Sequence, residues 1–216
     1  MTMSLTRRRM LSLGAGAAIA VAAAGPAQAT PNTNERAWTK RESENGWPIL
    51  DHARKFRVEG TNVDVSLLEG DVAAVLLYVA RRFAYEADML MPGDLQGYTM
   101  ERKFASAFES NYLSGTAIAI RPMHYPLGAD VKNTGMSRAE QIVVTDILAD
   151  CEGVIAWGGH LQPVKQSHFQ IAIRPGDSRL KELAGRIQRW DITPGRGAGT
   201  IDAFAPARRR RAARSR

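Results

Sequence analysis

Four histidines, His52, His124, His160 and His168, and one cysteine, Cys151, are the imidazole and thiol groups this 216-residue chain offers for chemistry. A catalytic zinc takes three protein ligands and keeps one position open for water. His160 follows Trp157-Gly158-Gly159 directly and could approach His168 across a hairpin, and His124 follows the strand-like run SGTAIAI. A set of His124, His160 and His168 could hold a metal, but it brings no carboxylate to accept a proton from the bound water. Each has a plainer reading beside that one: His124 and His160 as loop or surface residues, His168 as a strand histidine held by packing. Tyr112 could ligate only as a phenolate, and its reference pKa is about 10. Cys151 ends an apolar helical run and reads as a small buried side chain.

Two segments put these residues into a pattern. The first is ESNYLSGTAIAI at 109–120 and the second is WGGHLQPVKQSHFQI at 157–171. Together they resemble the paired zinc motifs of D-alanyl-D-alanine carboxypeptidase-type peptidases, bacterial cell-wall enzymes of the hedgehog/DD-peptidase fold. The family motif S-x-H-x-x-G-x-A-x-D falls on Ser110, Tyr112, Gly115, Ala117 and Ala119. The second motif, a W-G-G turn and then a strand opening on His, falls on Trp157-Gly158-Gly159 and His168-Phe169-Gln170-Ile171. The resemblance covers residues 46–190.

In that family the metal lowers the pKa of its water and polarises the scissile carbonyl, and a carboxylate takes the water's proton. The resemblance implies that His168 is a retained ligand position and that Tyr112 and Ala119 occupy the other two. The general-base region falls on Lys165-Gln166-Ser167, which carries no carboxylate. Arg102 and Ser110 are candidate substrate contacts, and Arg81-Arg82 could also clamp a substrate carboxylate, since arginine binds carboxylates through two hydrogen bonds. Ligand groups buried without their metal are costly, and Tyr112 and Ala119 remove that cost. The pattern therefore predicts a peptidase-type scaffold that persists without zinc and binds peptidoglycan or a wall peptide. Two alternatives stay open: an active zinc-dependent D-alanyl-D-alanine carboxypeptidase or related peptidoglycan peptidase, and an exported structural or interaction protein.

The elements that must position these residues follow from periodicity. FRVEG (56–60) and VDVSL (63–67) alternate apolar and polar residues around Gly60-Thr61-Asn62, which predicts a hairpin. Val72, Val75, Leu76, Val79 and Phe83 recur at helical spacing behind Asp71, a candidate N-cap, and predict a central buried helix. Residues 91–108 and 121–136 read as loops, with SGTAIAI as a strand between them. Ser137-Arg138-Ala139-Glu140 is a capping box that starts a second helix. GVIAW and HFQIAI are strands, and Asp177 caps a third helix. Helices and strands without regular βαβ alternation predict an α+β domain with a mostly antiparallel sheet.

The net charge of +7 sits at the two ends. Residues 1–29 hold three arginines and no acid, and residues 208–216 hold six arginines and no acid; the remaining 20 bases face 22 acids. The basic footprint of a nucleic-acid binder is thus missing from the domain. Residues 1–29 combine Arg7-Arg8-Arg9, a weakly apolar run and Pro26-Ala27-Gln28-Ala29, the parts of a cleaved twin-arginine export signal. The apolar run is shorter than the ~20 residues a membrane span needs. The expected order is signal 1–29, flexible lead-in 30–45, domain 46–191, and a Gly- then Arg-rich disordered tail 192–216, in a protein exported to the cell wall, periplasm or medium. A single cysteine allows no internal disulfide.

Overall fold

Helix α1 (Asp71–Glu86) is buried almost all round, because Tyr78 and Ala80 are enclosed as well as the predicted stripe of Val72, Val75, Leu76, Val79 and Phe83. Its cap differs from the predicted one. Gly70, at φ 88°, is the cap residue and Asp71 is the first helical residue. Glycine takes that positive φ without steric cost, and the Asp71 carboxylate then faces the helix's positive end. The computed structural model describes residues 35–129, 132 and 135–215; the signal expected over 1–29 lies outside them. The described residues belong to one compact unit.

Around α1 stand short antiparallel strands. β1 (Arg36–Ala37) pairs with β5 (Lys103–Phe104), and β2 (Arg54–Arg57) pairs with β3 (Asp64–Leu67) as the predicted hairpin. The main sheet runs β4 (Leu95–Gln96), β6 (Ala117–Ile120), β8 (His168–Ile171), β7 (Ile155–Trp157), with every neighbouring pair antiparallel. Among the described residues, α2 (Arg138–Cys151) packs on α1 and on β7, α3 (Ser178–Asp191) packs on α1, and α4 (Pro206–Arg214) packs on α2. The architecture is α+β, as the periodicity predicts. The Ser137–Glu140 box is formed, with Ser137 Oγ accepting from Glu140 N at 3.2 Å and Glu140 Oε2 accepting from Ser137 N at 2.7 Å. Asp177 caps α3 through Arg179 N at 3.0 Å. Cys151 is buried and free. Among the described residues no helix is long and apolar enough to cross a membrane.

The two segments predicted to lie outside the domain are packed on it. In place of a flexible lead-in, the described residues 35–45 enter as strand β1 and then as a strap that bonds to the loop before β6. In place of a disordered tail, Pro206–Arg214 is helical, with Pro206 in its first turn and Ala212 buried. The cause is charge. Arg82 of α1 is 0% exposed, and its guanidinium meets Asp146 Oδ2 at 2.6 Å, Asp150 Oδ2 at 2.7 Å and the carboxylate of Glu86. One cation cannot balance three enclosed carboxylates. Arg208 supplies a second, at 2.8 Å from Asp146 and 2.6 Å from Asp150, and Arg211 a third, at 2.5 Å from Asp150. Burial pushes the Asp150 carboxyl up, but Arg208, Arg82, the Tyr78 hydroxyl and Arg211 outweigh it, and its pKa lies below the ordinary carboxylate value.

Arg81 and Arg82 are therefore not available to a substrate carboxylate. Arg81 bridges Glu59 at 2.9 Å and Asp191 at 2.7 Å. Arg208→Ala should lower the unfolding free energy by about 3 kcal/mol, because it leaves buried carboxylate charge uncompensated; denaturant titration of the variant against the parent measures this.

Candidate functional site

The segment ESNYLSG is built from the backbone outward. Ala107–Tyr112 is a 3-10 helix, so Tyr112 precedes the strand by a turn and does not belong to it. The chain then reverses through Gly115 at φ 63°, where an added Cβ would stand 2.5 Å from Leu68 N. β6 follows, with Ile118 and Ile120 in the main core and Ala117 and Ala119 on the opposite face beside Tyr112. On the partner strand, Ala119 lies opposite His168 in the register of β6 and β8. The W-G-G turn aims His168: a Cβ on Gly158 would stand 2.1 Å from Lys165 O, and Lys165 O accepts the His168 N–H at 2.9 Å. Tyr112, Ala119 and His168 thus meet at one place.

The groups there form a closed chain of hydrogen bonds. His168 Nε2 lies 2.7 Å from Gln170 Oε1, an oxygen that can only accept, so Nε2 carries the proton. Nδ1 is then the acceptor for the Tyr112 hydroxyl at 2.7 Å. Gln170 Oε1 also accepts from Asn111 Nδ2 at 2.7 Å, and Asn111 Oδ1 accepts from Asn45 N at 3.0 Å. The strap adds Ser43 Oγ to Ser114 Oγ at 2.9 Å, Glu44 N to Ser110 Oγ at 2.8 Å, and Asn45 Nδ2 to Thr116 Oγ1 and to Ile171 O, both at 2.9 Å. Phe108 covers the imidazole, with ring centroids 4.8 Å apart.

Tyrosine, histidine and glutamine stand here as nucleophile, base and orienter would. The energetics oppose that use. Burial drives the His168 pKa down to about 3, with the nearby Lys165 charge adding to it and the Gln170 bond only partly offsetting it. Burial raises the Tyr112 phenol well above its ordinary value, and the Glu109 charge raises it further. Moving the proton from phenol to imidazole would separate two charges where water does not reach. The network is neutral and stays neutral.

A zinc ion does not fit this donor set. Both nitrogens of His168 are engaged within the chain, Tyr112 is held as a phenol, and Ala119 has no donor atom. The alternative ligands lie apart. His124 is exposed, with Nε2 3.3 Å from Arg121 Nη2, and His160 is exposed against the Trp157 ring at 5.0 Å; His52 is exposed as well. Among the described residues no three His, Cys, Asp or Glu side chains form a group that could hold a metal. Gln166 is a structural residue: its Oε1 accepts from Met136 N at 2.6 Å. Ser110 is buried and holds the strap. Arg102 is exposed, and its Nη1 donates to Trp38 O at 3.3 Å.

Beside the network lies an open groove of about 500 Å3, lined by Val65, Leu95, Gln96 and Tyr98 and by Tyr112, Glu109 and Lys165. Lys165 Nζ bonds Glu109 Oε1 at 2.7 Å and stands 5.1 Å from the Tyr112 ring centroid. Glu101 at the groove forms no ion pair among the described residues. The residues that motif matching misses are Glu109, Asn111, Gln170 and Asn45. Asn111 and Gln170 each lie inside a motif segment, at positions where the motif leaves the residue open. Asn45 arrives from a segment that carries no motif.

Two consequences can be measured. In the unfolded chain His168 takes up a proton near pH 6.5, whereas in the folded chain it resists down to about pH 3. The stability held in its neutrality is complete above pH 6.5 and is lost progressively as pH falls toward 3. The denaturant midpoint should therefore fall between pH 7 and pH 5, above the carboxylate range, and His168→Gln should flatten that slope. Tyr112→Phe leaves buried Nδ1 without a donor and should cost about 1–3 kcal/mol in the same assay at pH 7.

No family model matches this chain, and neither curated proteins nor solved structures give a match to it.

Proposed function

We propose that this chain is an exported, cell-wall-associated protein with the scaffold of a zinc DD-peptidase and no catalytic metal, and that it binds peptidoglycan peptide in the groove beside Tyr112. One observation carries the reading. The positions matched to the three family ligands converge, yet they hold a phenol, a methyl group and an imidazole whose two nitrogens are both satisfied. The convergence joins two segments, 109–120 and 157–171, and supports reading them as the two halves of one site. A working metal site would leave an imidazole nitrogen free to ligate.

The groove supports binding in place of cleavage. Val65, Leu95, Tyr98 and Phe104 give it apolar and aromatic surface, and Asp64, Gln96, Glu101 and Lys165 are among the polar side chains that would orient a bound peptide. Glu101 adds a carboxylate suited to a ligand amine. The twin-arginine leader read from residues 1–29 supports export by the Tat route.

Calorimetric titration of the full chain with a soluble muropeptide should give saturable binding with no D-alanine released. Glu101→Lys, at an exposed position, should weaken it about tenfold through like-charge repulsion with the ligand amine. Release of D-alanine, or no binding at all, would overturn the proposal. The residue assignment has its own test: Tyr112→His with Ala119→Asp should take up one zinc per chain by metal analysis, and the parent chain none. Stoichiometric zinc in the parent, lost on His168→Ala, would count against the reading.

A further inference from the structure

Helix α4 divides its arginines by face. At 100° per residue, Arg208, Arg211 and Ala212 share one side, and Arg209, Arg210 and Arg214 share the other. The first side is spent on the fold: Arg208 and Arg211 neutralise Asp146 and Asp150, and Ala212 is buried. The second side is free. Arg209, Arg210 and Arg214 are all exposed and form no ion pair among the described residues. Arg138, the first residue of α2, is exposed in the same way and lines a hollow of about 350 Å3 with Arg209, over a floor that includes Gln141 and Thr145. On the far side of the helix Arg210 and Arg214 line a second hollow of about 340 Å3.

We infer that this face of α4 docks a phosphodiester polymer that carries no bases, such as poly(glycerol phosphate). Charge complementarity selects a polyanion: four guanidiniums that form no ion pair among the described residues flank one helix, two at each hollow, with Glu152 the one acidic residue lining either hollow, on a domain whose other charges nearly cancel. The contour selects a flexible chain, because the arginines flank a ridge with a hollow on each side. The composition disfavours other polyanions. The outward face has no apolar side chain larger than Ala213, whereas a membrane-surface helix buries large apolar residues. The helix itself carries no aromatic ring on which a base could stack, and the exposed Phe204 precedes its first turn. Arginine matches phosphate with two parallel hydrogen bonds. This surface is independent of the groove beside Tyr112.

The test titrates the full chain with poly(glycerol phosphate) and follows binding against salt. About three phosphate contacts on a flexible chain predict a log–log slope of about −2, or roughly a tenfold loss from 50 to 200 mM salt. The triple variant Arg209→Gln, Arg210→Gln, Arg214→Gln should bind at least tenfold more weakly and lose most of the salt dependence. Its unfolding midpoint should match the parent, since none of the three arginines is paired. The same titration with oligo(dT) and with anionic phosphatidylglycerol vesicles completes the comparison. Equal binding by parent and variant, or tighter binding of the oligonucleotide or the vesicles than of poly(glycerol phosphate), would overturn the inference.

Discussion

Arg82 carries a full charge at a point that water does not reach, and the helices are arranged around that fact. An enclosed guanidinium is tolerable only when carboxylates and hydrogen bonds replace its hydration. Glu86 comes from the next turn of α1, and Asp146 and Asp150 come from α2, one helical turn apart on a single face. The Tyr78 hydroxyl closes the remaining gap, accepting from Arg82 Nη1 and donating to Asp150 Oδ2, both at 2.9 Å. Three carboxylates around one cation leave an excess of negative charge, and this recruits α4. The basic C-terminal segment is thereby part of the domain, although a helix of such composition has no apolar stripe of its own.

The site on the other part of the molecule meets the same constraint by the opposite route. There the buried groups carry no charge at all. His168 is neutral, Tyr112 is a phenol, and the remaining partners are the amides of Gln170, Asn111 and Asn45. Each acceptor meets a donor, so the network can be enclosed without an ion. Ala119 contributes by being small: opposite His168 it adds neither charge nor an unpaired polar atom. Chemistry at this place would need a charge to be created, and the surroundings are arranged so that none is. Binding in the groove beside it makes no such demand, and the ion pair of Lys165 with Glu109 lines the groove, where solvent can reach it.

Much of this was legible in the residues. The stripe of α1, the capping box of α2, the Asp177 cap and the hairpin over residues 54–67 depend on neighbours within a few positions, and local sequence encodes them. The glycines of the two motif segments were legible for the same reason, since Gly115 and Gly158 stand where a Cβ would strike backbone. The errors lie where charge or hydrogen bonding joins distant segments. Arg81 and Arg82 read as groups that could clamp a substrate carboxylate because a lone arginine pair has no local sign of burial; Glu59, Asp146, Asp150 and Asp191 lie 22 to 110 residues away. Residues 35–45 read as flexible because their partners are polar atoms of Ser110, Asn111, Ser114 and Thr116, which no periodicity announces.

What the sequence determined by itself was the elements with a clear period, α1 to α3, the hairpin and the longer strands of the main sheet, and with them the α+β class. What only the tertiary structure decided was the state of Tyr112, Ala119 and His168. The sequence could place a phenol near an imidazole, but it could not say that Gln170, itself held by Asn111, would occupy the other ring nitrogen, nor that the pair would be sealed from water. Nor could it say which arginines of the C-terminal run would be consumed by the fold and which left outward. Hydrogen-bond closure and charge neutralisation belong to three-dimensional neighbourhoods, and their partners are selected by packing, whatever their distance along the chain.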